Sequence, residues 1–192
     1  TMPLFTLVYM AILVHGGPGS GKTFFSLGAP SPLVLDTESS TDAYRGRPDL
    51  PAFTVAKTAS PKEIAPVLAD LSRKGFIQAG DKHLTPETVV IDSFSVLWQV
   101  RQEAGQKMAE QRAKADGRNT DTARVAFGDW ALIKRPIQQL YTSLIDLPTH
   151  VIITAREKEL YDDDPKQPRK IGQGPDLEKN AGKAGLSVKT TG

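Results

Sequence analysis

Cysteine is missing altogether from the 192 residues. Its absence excludes disulfides and thiolate metal sites, and it fits a cytoplasmic setting. No apolar run approaches the roughly 20 residues that span a bilayer, so no membrane partner is expected. The apolar start, Leu4–Val14, flows directly into a glycine-rich stretch and reads as a core strand rather than a signal peptide. Charge of one sign is lacking too. Lys and Arg total 24 against 22 Asp and Glu, a net +2 that permits contact with nucleic acid without arguing for it. There is no internal repeat. What remains is the composition of an ordinary globular protein, 39% apolar and 24% charged, in a length that fits one domain with a sizeable core.

Against this background one octapeptide stands out. Residues 16–23 read Gly-Gly-Pro-Gly-Ser-Gly-Lys-Thr, a full match to the phosphate-binding loop G-x-x-x-x-G-K-[ST]. The glycines at 16, 17, 19 and 21 let the backbone curl and aim successive N–H groups at a phosphate. A helix expected to start near Gly21 adds its positive dipole end. The pattern predicts a nucleotide cradle of Gly17, Pro18, Gly19, Ser20, Gly21, Lys22, Thr23 and Phe24. Within it, Lys22 reaches the β- and γ-phosphates and the Thr23 hydroxyl ligates Mg²⁺. The ligand class is therefore a nucleoside triphosphate, taken as ATP with Mg²⁺.

Five short apolar runs alternate with helix-compatible segments, the pattern of a parallel α/β sheet covered on both faces. They are Val8–Val14, Leu33–Leu35, Phe53–Ala56, Val89–Ile91 and Val151–Ile153. Ser60-Pro61-Lys62-Glu63 predicts a helix start, with Ser60 as N-cap, Pro61 at the first turn and Glu63 closing a capping box. Ile64, Val67, Leu68 and Leu71 follow at helical spacing, and Pro66 is expected to kink or shorten that helix. Trp130, Ile133, Ile137, Leu140, Tyr141 and Leu144 mark a second amphipathic stripe, interrupted by Pro136. The polar segment Arg101–Arg124 reads as an extension of the helix after the fourth strand, broken at Asp116-Gly117-Arg118-Asn119. It is either a solvated face with a surface linker or a basic loop touching nucleic acid or a neighbouring subunit. Residues 1–171 are assigned to one domain and 172–192 to a loop or tail.

Hydrolysis asks for a metal-ordering carboxylate and a group that aligns water. Thr88-Val89-Val90-Ile91-Asp92 is an apolar strand ending in an acid, the Walker B pattern, so Asp92 is expected to hold Mg²⁺; capping of the next helix is the plainer role. Position 93 is Ser, where many AAA+ ATPases carry a glutamate base. The second strand, Leu33-Val34-Leu35-Asp36-Thr37-Glu38, supplies Glu38 at the same sheet edge, where ligands bind in open α/β sheets. Glu38 is the preferred water-activating group, Asp36 its nearest competitor, and a helix-start role the alternative for both. The fifth strand ends in Thr154-Ala155-Arg156. In a P-loop core it lies between the Walker strands, which makes Thr154 and Arg156 candidates for sensing the γ-phosphate or acting on a neighbour's nucleotide. An ion pair with Glu157, Glu159 or an acid at 162–164 explains Arg156 equally well.

GGPGSGKT at 16–23, LVLDTE at 33–38 and TVVIDS at 88–93 together resemble the RecA-like ATPases. VIITAREKELY at 151–161 and FGDWALIKRPIQQL at 127–140 resemble, more narrowly, the small phage-encoded RecA-like nucleotide-binding proteins of single-strand annealing and recombination. The resemblance covers roughly residues 8–165. It implies a three-layer αβα sandwich with a mostly parallel sheet and a RecA-like core. It further implies Glu38 as the catalytic carboxylate beside Lys22 and Asp92, a homo-oligomer, single-stranded DNA as partner, and the cytoplasm of a bacterial host. The chain departs from RecA recombinases in having little room after the fifth strand for further strands and DNA-binding loops. Tyr161–Gly174 lies where the second such loop stands, and Lys166, Arg169 and Lys170 would meet phosphates there; a charged loop touching nothing is the alternative. Two other functions fit the same loop: a nucleotide-dependent assembly or loading module, and a small-molecule kinase.

Overall fold

A computed structural model of the chain describes residues 9–161 and 169–177. In chain order they form β1 (Ala11–Gly16), α1 (Lys22–Leu27), β2 (Pro32–Asp36), a 3₁₀ turn (Ser40–Tyr44), β3 (Thr54–Lys57) and α2 (Pro61–Lys74). There follow β4 (Ile77–Ala79), β5 (Lys82–Leu84), β6 (Thr88–Asp92), α3 (Phe94–Ala115), α4 (Asp129–Ile145), β7 (His150–Tyr161) and β8 (Lys170–Pro175). The main sheet runs β1-β7-β6-β2-β3, all parallel, with β8 added antiparallel to the far end of β7. β4 and β5 make a separate hairpin.

Each of the five apolar runs contributes a strand to the main sheet, β1 beginning at Ala11 and β3 at Thr54, and β7 lies between β1 and β6 as the sequence leads one to expect. Side-chain alternation explains why the runs are continuous rather than alternating. Leu33, Leu35, Val89, Ile91, Val151 and Ile153 pack under α2, α3 and α4. Val34, Val90 and Ile152 turn the other way, with Leu27 of α1. Register aligns Asp36 with Asp92 and Val14 with Thr154, so the carboxyl ends of four strands share one edge.

Three expectations are narrowed or corrected. Of the outcomes expected at the prolines, a shortened α2 and an α4 that begins afresh are excluded, since α2 runs through Pro66 and α4 through Pro136. Lacking an N–H, Pro136 leaves the Leu132 carbonyl without its helical donor, and Arg101 Nη2 supplies one from α3 at 3.1 Å. Pro66 and the Lys62 carbonyl it abandons lie on an exposed face of α2, where water can take the bond. Second, Glu63 does not close a capping box: its carboxylate accepts from Thr58 Oγ1, whose oxygen also accepts from the Ser60 N–H. Third, the stretch expected to be loop or tail contains β8, which straddles position 171, and Leu177 is buried in the main core. Residues 1–8, 162–168 and 178–192 lie outside the described residues, and with them Lys166, the acids at 162–164 and most of the expected tail.

Candidate functional site

The loop between β1 and α1 owes its shape to residues able to take left-handed backbone. Gly19 and Gly21 sit at φ 75° and 85°, a region that L side chains rarely enter. Gly16 has a different reason to be glycine, because a Cβ there would stand 2.6 Å from Ser20 Oγ. Lys22 folds over the loop and donates to the carbonyls of Gly16 and Gly17, each at 2.8 Å. Its ammonium is thus held over the loop's mouth. Phe24, one residue past Thr23, points away from it and packs near Tyr44, with the Arg47 guanidinium 5.2 Å from the ring centre.

Asp92 ties the loop to the sheet. The residue is 3% exposed, and its Oδ2 accepts from Thr23 Oγ1 and Ser40 Oγ, both at 2.7 Å. Oδ1 accepts from the buried Thr154 hydroxyl. Three hydroxyls from α1, the turn after β2, and β7 therefore converge on one carboxylate. Mg²⁺ is a hard cation held in such sites by one or two carboxylates plus substrate phosphates, not by a protein cage. A Thr hydroxyl touching a buried Asp oxygen beside a phosphate loop fits that requirement. Ser40 is the residue that sequence reasoning missed. Its signal is faint: a hydroxyl two positions past Glu38, in a run of seven hydroxylated or acidic residues, Asp36–Asp42.

Asp36 and Glu38 have opposite surroundings. Asp36, 1% exposed, accepts from the backbone N–H groups of Glu38, Ser40 and Thr41 and from the Thr41 hydroxyl at 2.5 Å. Burial pushes its carboxyl up, yet the Thr41 hydroxyl and the three N–H donors outweigh that and hold it below the usual carboxylate range. A carboxylate so fully engaged shapes the 3₁₀ turn and has no lone pair to spare for water, so Asp36 is no rival for the base. Glu38 is partly exposed at the same edge, and its Oε1 meets Arg156 at 3.1 Å from Nη2 and 3.2 Å from Nε.

That contact was not among the partners expected of Arg156. Glu157 instead faces His15 Nδ1 at 3.2 Å, and Glu159 pairs with Lys170 at 2.5 Å. The strand supplies the reason. Residues 154, 156 and 158 share one face of β7, and this face passes first Asp92, then Glu38. Arg156 is also fixed by its backbone, whose N–H donates to Ser95 Oγ at 2.9 Å, while Ser95 donates to the Asp176 carbonyl at 2.7 Å.

A glycine-rich loop after a core strand, a lysine over its mouth, a threonine bound to the acid of a second strand, and one strand between the two define an α/β P-loop NTPase fold. The chain belongs to the AAA domain family, whose match runs over residues 9–184. Among solved structures it is similar to one described as the crystal structure of the RadB recombinase. That likeness has a TM-score of 0.47 and 16% identity, over 91% of this chain and 70% of that one. Comparison with curated proteins finds no match. Among the described residues no helix is long and apolar enough to cross a membrane.

Proposed function

We propose that the chain is a Mg²⁺-dependent ATPase whose turnover is coupled to single-stranded DNA, in annealing, recombination or replication. The observation that carries the nucleotide chemistry is the Thr23–Asp92 contact, which joins the phosphate loop to the Walker B strand. Glu38 stands at the same edge with a partly exposed carboxylate. In this reading Lys22 trades its loop carbonyls for phosphate oxygens and neutralises their charge. Thr23 and Asp92 would hold Mg²⁺, which would supply neutralisation of phosphate charge. Glu38 orients water and takes its proton as the water oxygen bonds to the γ-phosphorus. The bond to the bridging oxygen breaks, leaving ADP and phosphate.

Arg156 gives this reading a checkpoint. A partly exposed ion pair is worth at most about 1 kcal/mol, so the γ-phosphate competes readily for the guanidinium and leaves Glu38 free. The DNA coupling has the sequence resemblance as its support. Glu38→Gln is expected to keep ATP binding and to lose turnover by about 10²- to 10⁴-fold, the range for a removed general base. Undiminished hydrolysis in that variant sinks the assignment. Hydrolysis assayed with and without single-stranded DNA separates the alternatives. A slow rate that DNA leaves unchanged favours a loading module, and transfer of phosphate to an acceptor other than water favours a kinase.

A further inference from the structure

Ser40 makes one hydrogen bond that the turn around it does not need. Its backbone N–H donates to Asp36 Oδ1 at 3.2 Å, and the same oxygen takes the Glu38 N–H at 3.1 Å. Asp36 Oδ2 holds the N–H and the hydroxyl of Thr41. On the other side of Glu38, the Thr37 N–H donates to the Asp92 carbonyl at 2.7 Å, and the Thr37 hydroxyl donates to the Ser93 carbonyl at 2.9 Å. These bonds fix the chain from Thr37 to Thr41, and none of them uses the Ser40 hydroxyl. That hydroxyl lies 3.4 Å from Asp36 Oδ1, already taken by two N–H donors, but 2.7 Å from Asp92 Oδ2. Its single proton goes to the nearer oxygen.

The backbone supplies a second, independent observation. Ser39, between Glu38 and Ser40, sits at φ 59°, in the left-handed region that L side chains rarely enter. It is exposed, and its side chain caps nothing. The chain thus takes a costly step directly before the residue that reaches Asp92, and strain of this kind collects at functional sites. Asp92 then has a partner on each oxygen from outside the phosphate loop, Ser40 on Oδ2 and the buried Thr154 on Oδ1. Such partners fix the orientation of a metal-ligating carboxylate, and losing one costs about 10- to 100-fold in metal affinity. We infer that Ser40 is a positioning residue for the metal: its hydroxyl orients Asp92 Oδ2, the oxygen shared with Thr23, toward magnesium nucleotide. The inference rests on the reading of Thr23 and Asp92 as the magnesium site and adds the residue that aligns it.

Binding of ADP by the full chain, titrated across Mg²⁺ concentration, tests this without any turnover. Ser40→Ala should raise the Mg²⁺ concentration for half-maximal ADP binding by about 10- to 100-fold. Its ADP affinity in EDTA should match the parent's, because Asp36 still holds the turn. Ser40→Thr keeps a hydroxyl and should titrate like the parent. An unchanged Mg²⁺ midpoint in Ser40→Ala overturns the inference while leaving the magnesium site itself standing. A lower midpoint overturns it too, since the hydroxyl then competes with the metal for Oδ2. Equal weakening in both variants, or an equal loss of ADP affinity in EDTA, places Ser40 in the fold rather than at the metal and overturns it as well. ADP binding by the parent chain that ignores Mg²⁺ altogether overturns both the inference and the metal assignment beneath it.

Discussion

Asp36 and Asp92 stand opposite each other in register at the ends of neighbouring strands, and their partners decide what each can do. Asp36 is surrounded by donors that cannot leave without unravelling the turn, while Asp92 is held by three side-chain hydroxyls that can rotate away. The Asp36 network makes a pH prediction. Its folded-state carboxyl is held below the unfolded value of about 3.9, so it contributes stability above that value and loses it as pH falls through the folded one. Asp36→Asn places an amide donor against donors and is expected to cost about 2–3 kcal/mol at neutral pH. The cost should shrink on acidification below about pH 4, as seen in urea unfolding across that range. The sequence pointed to both acids and to Glu38, because each follows an apolar run at one sheet edge. It was silent on the pairing of Arg156 with Glu38, since a contact across 118 positions follows from strand order and not from local spacing.

At the scale of elements, the packing of the helix pair α3–α4 depends on a glycine. Gly105 sits where a Cβ would fall 2.2 Å from Ile133 Cδ1 and 2.8 Å from its Cγ1. Alanine is the better helix former by about 1 kcal/mol, but overpacking a core costs about 1–3 kcal/mol, and Ile133 is buried with little room to yield. Gly105→Ala is therefore expected to destabilise by about 1 kcal/mol in chemical unfolding. Combined with Ile133→Val, which removes Cδ1 but keeps Cγ1 and itself costs about 0.5–1.5 kcal/mol, it should cost less than it does alone, a coupling that a double-mutant cycle reads directly. Amphipathic periodicity located α2 and α4, and the breaker at Asp116-Gly117 matches the end of α3. Pattern alone left open whether α4 restarts at Pro136, because the donor to the Leu132 carbonyl comes from Arg101 on another helix. It also missed the β4–β5 hairpin and β8, whose three- and six-residue strands carry too little periodicity to register.

For the whole molecule, the question is where the folded unit ends. A boundary at 171 makes everything after it dispensable, yet β8 pairs with β7 from Lys170 to Pro175 and Leu177 joins the main core. Leu177→Ala is expected to cost about 2 kcal/mol, the low end for a buried leucine. A value within about 0.5 kcal/mol of zero, normal for surface positions, would instead put Leu177 on a dispensable tail. Sheet order itself was readable in outline from the two nucleotide motifs, because a phosphate loop and a Walker B strand constrain what lies between them. The extension of β7 beyond the sheet was not, since nothing in Glu157–Tyr161 separates a strand from a charged loop until its partner is seen.

That extension has a thermodynamic corollary. β7 is one uninterrupted strand of twelve residues, about 40 Å at 3.3 Å per residue. Along a single face it carries Thr154 at Asp92, Arg156 at Glu38 and Lys158 at Asp176. Two ligands that bear on the same stiff element cannot act in one direction only. Under the proposed function, whatever factor a second ligand bound along β7 applies to the affinity for ATP, ATP must apply to the affinity for that ligand.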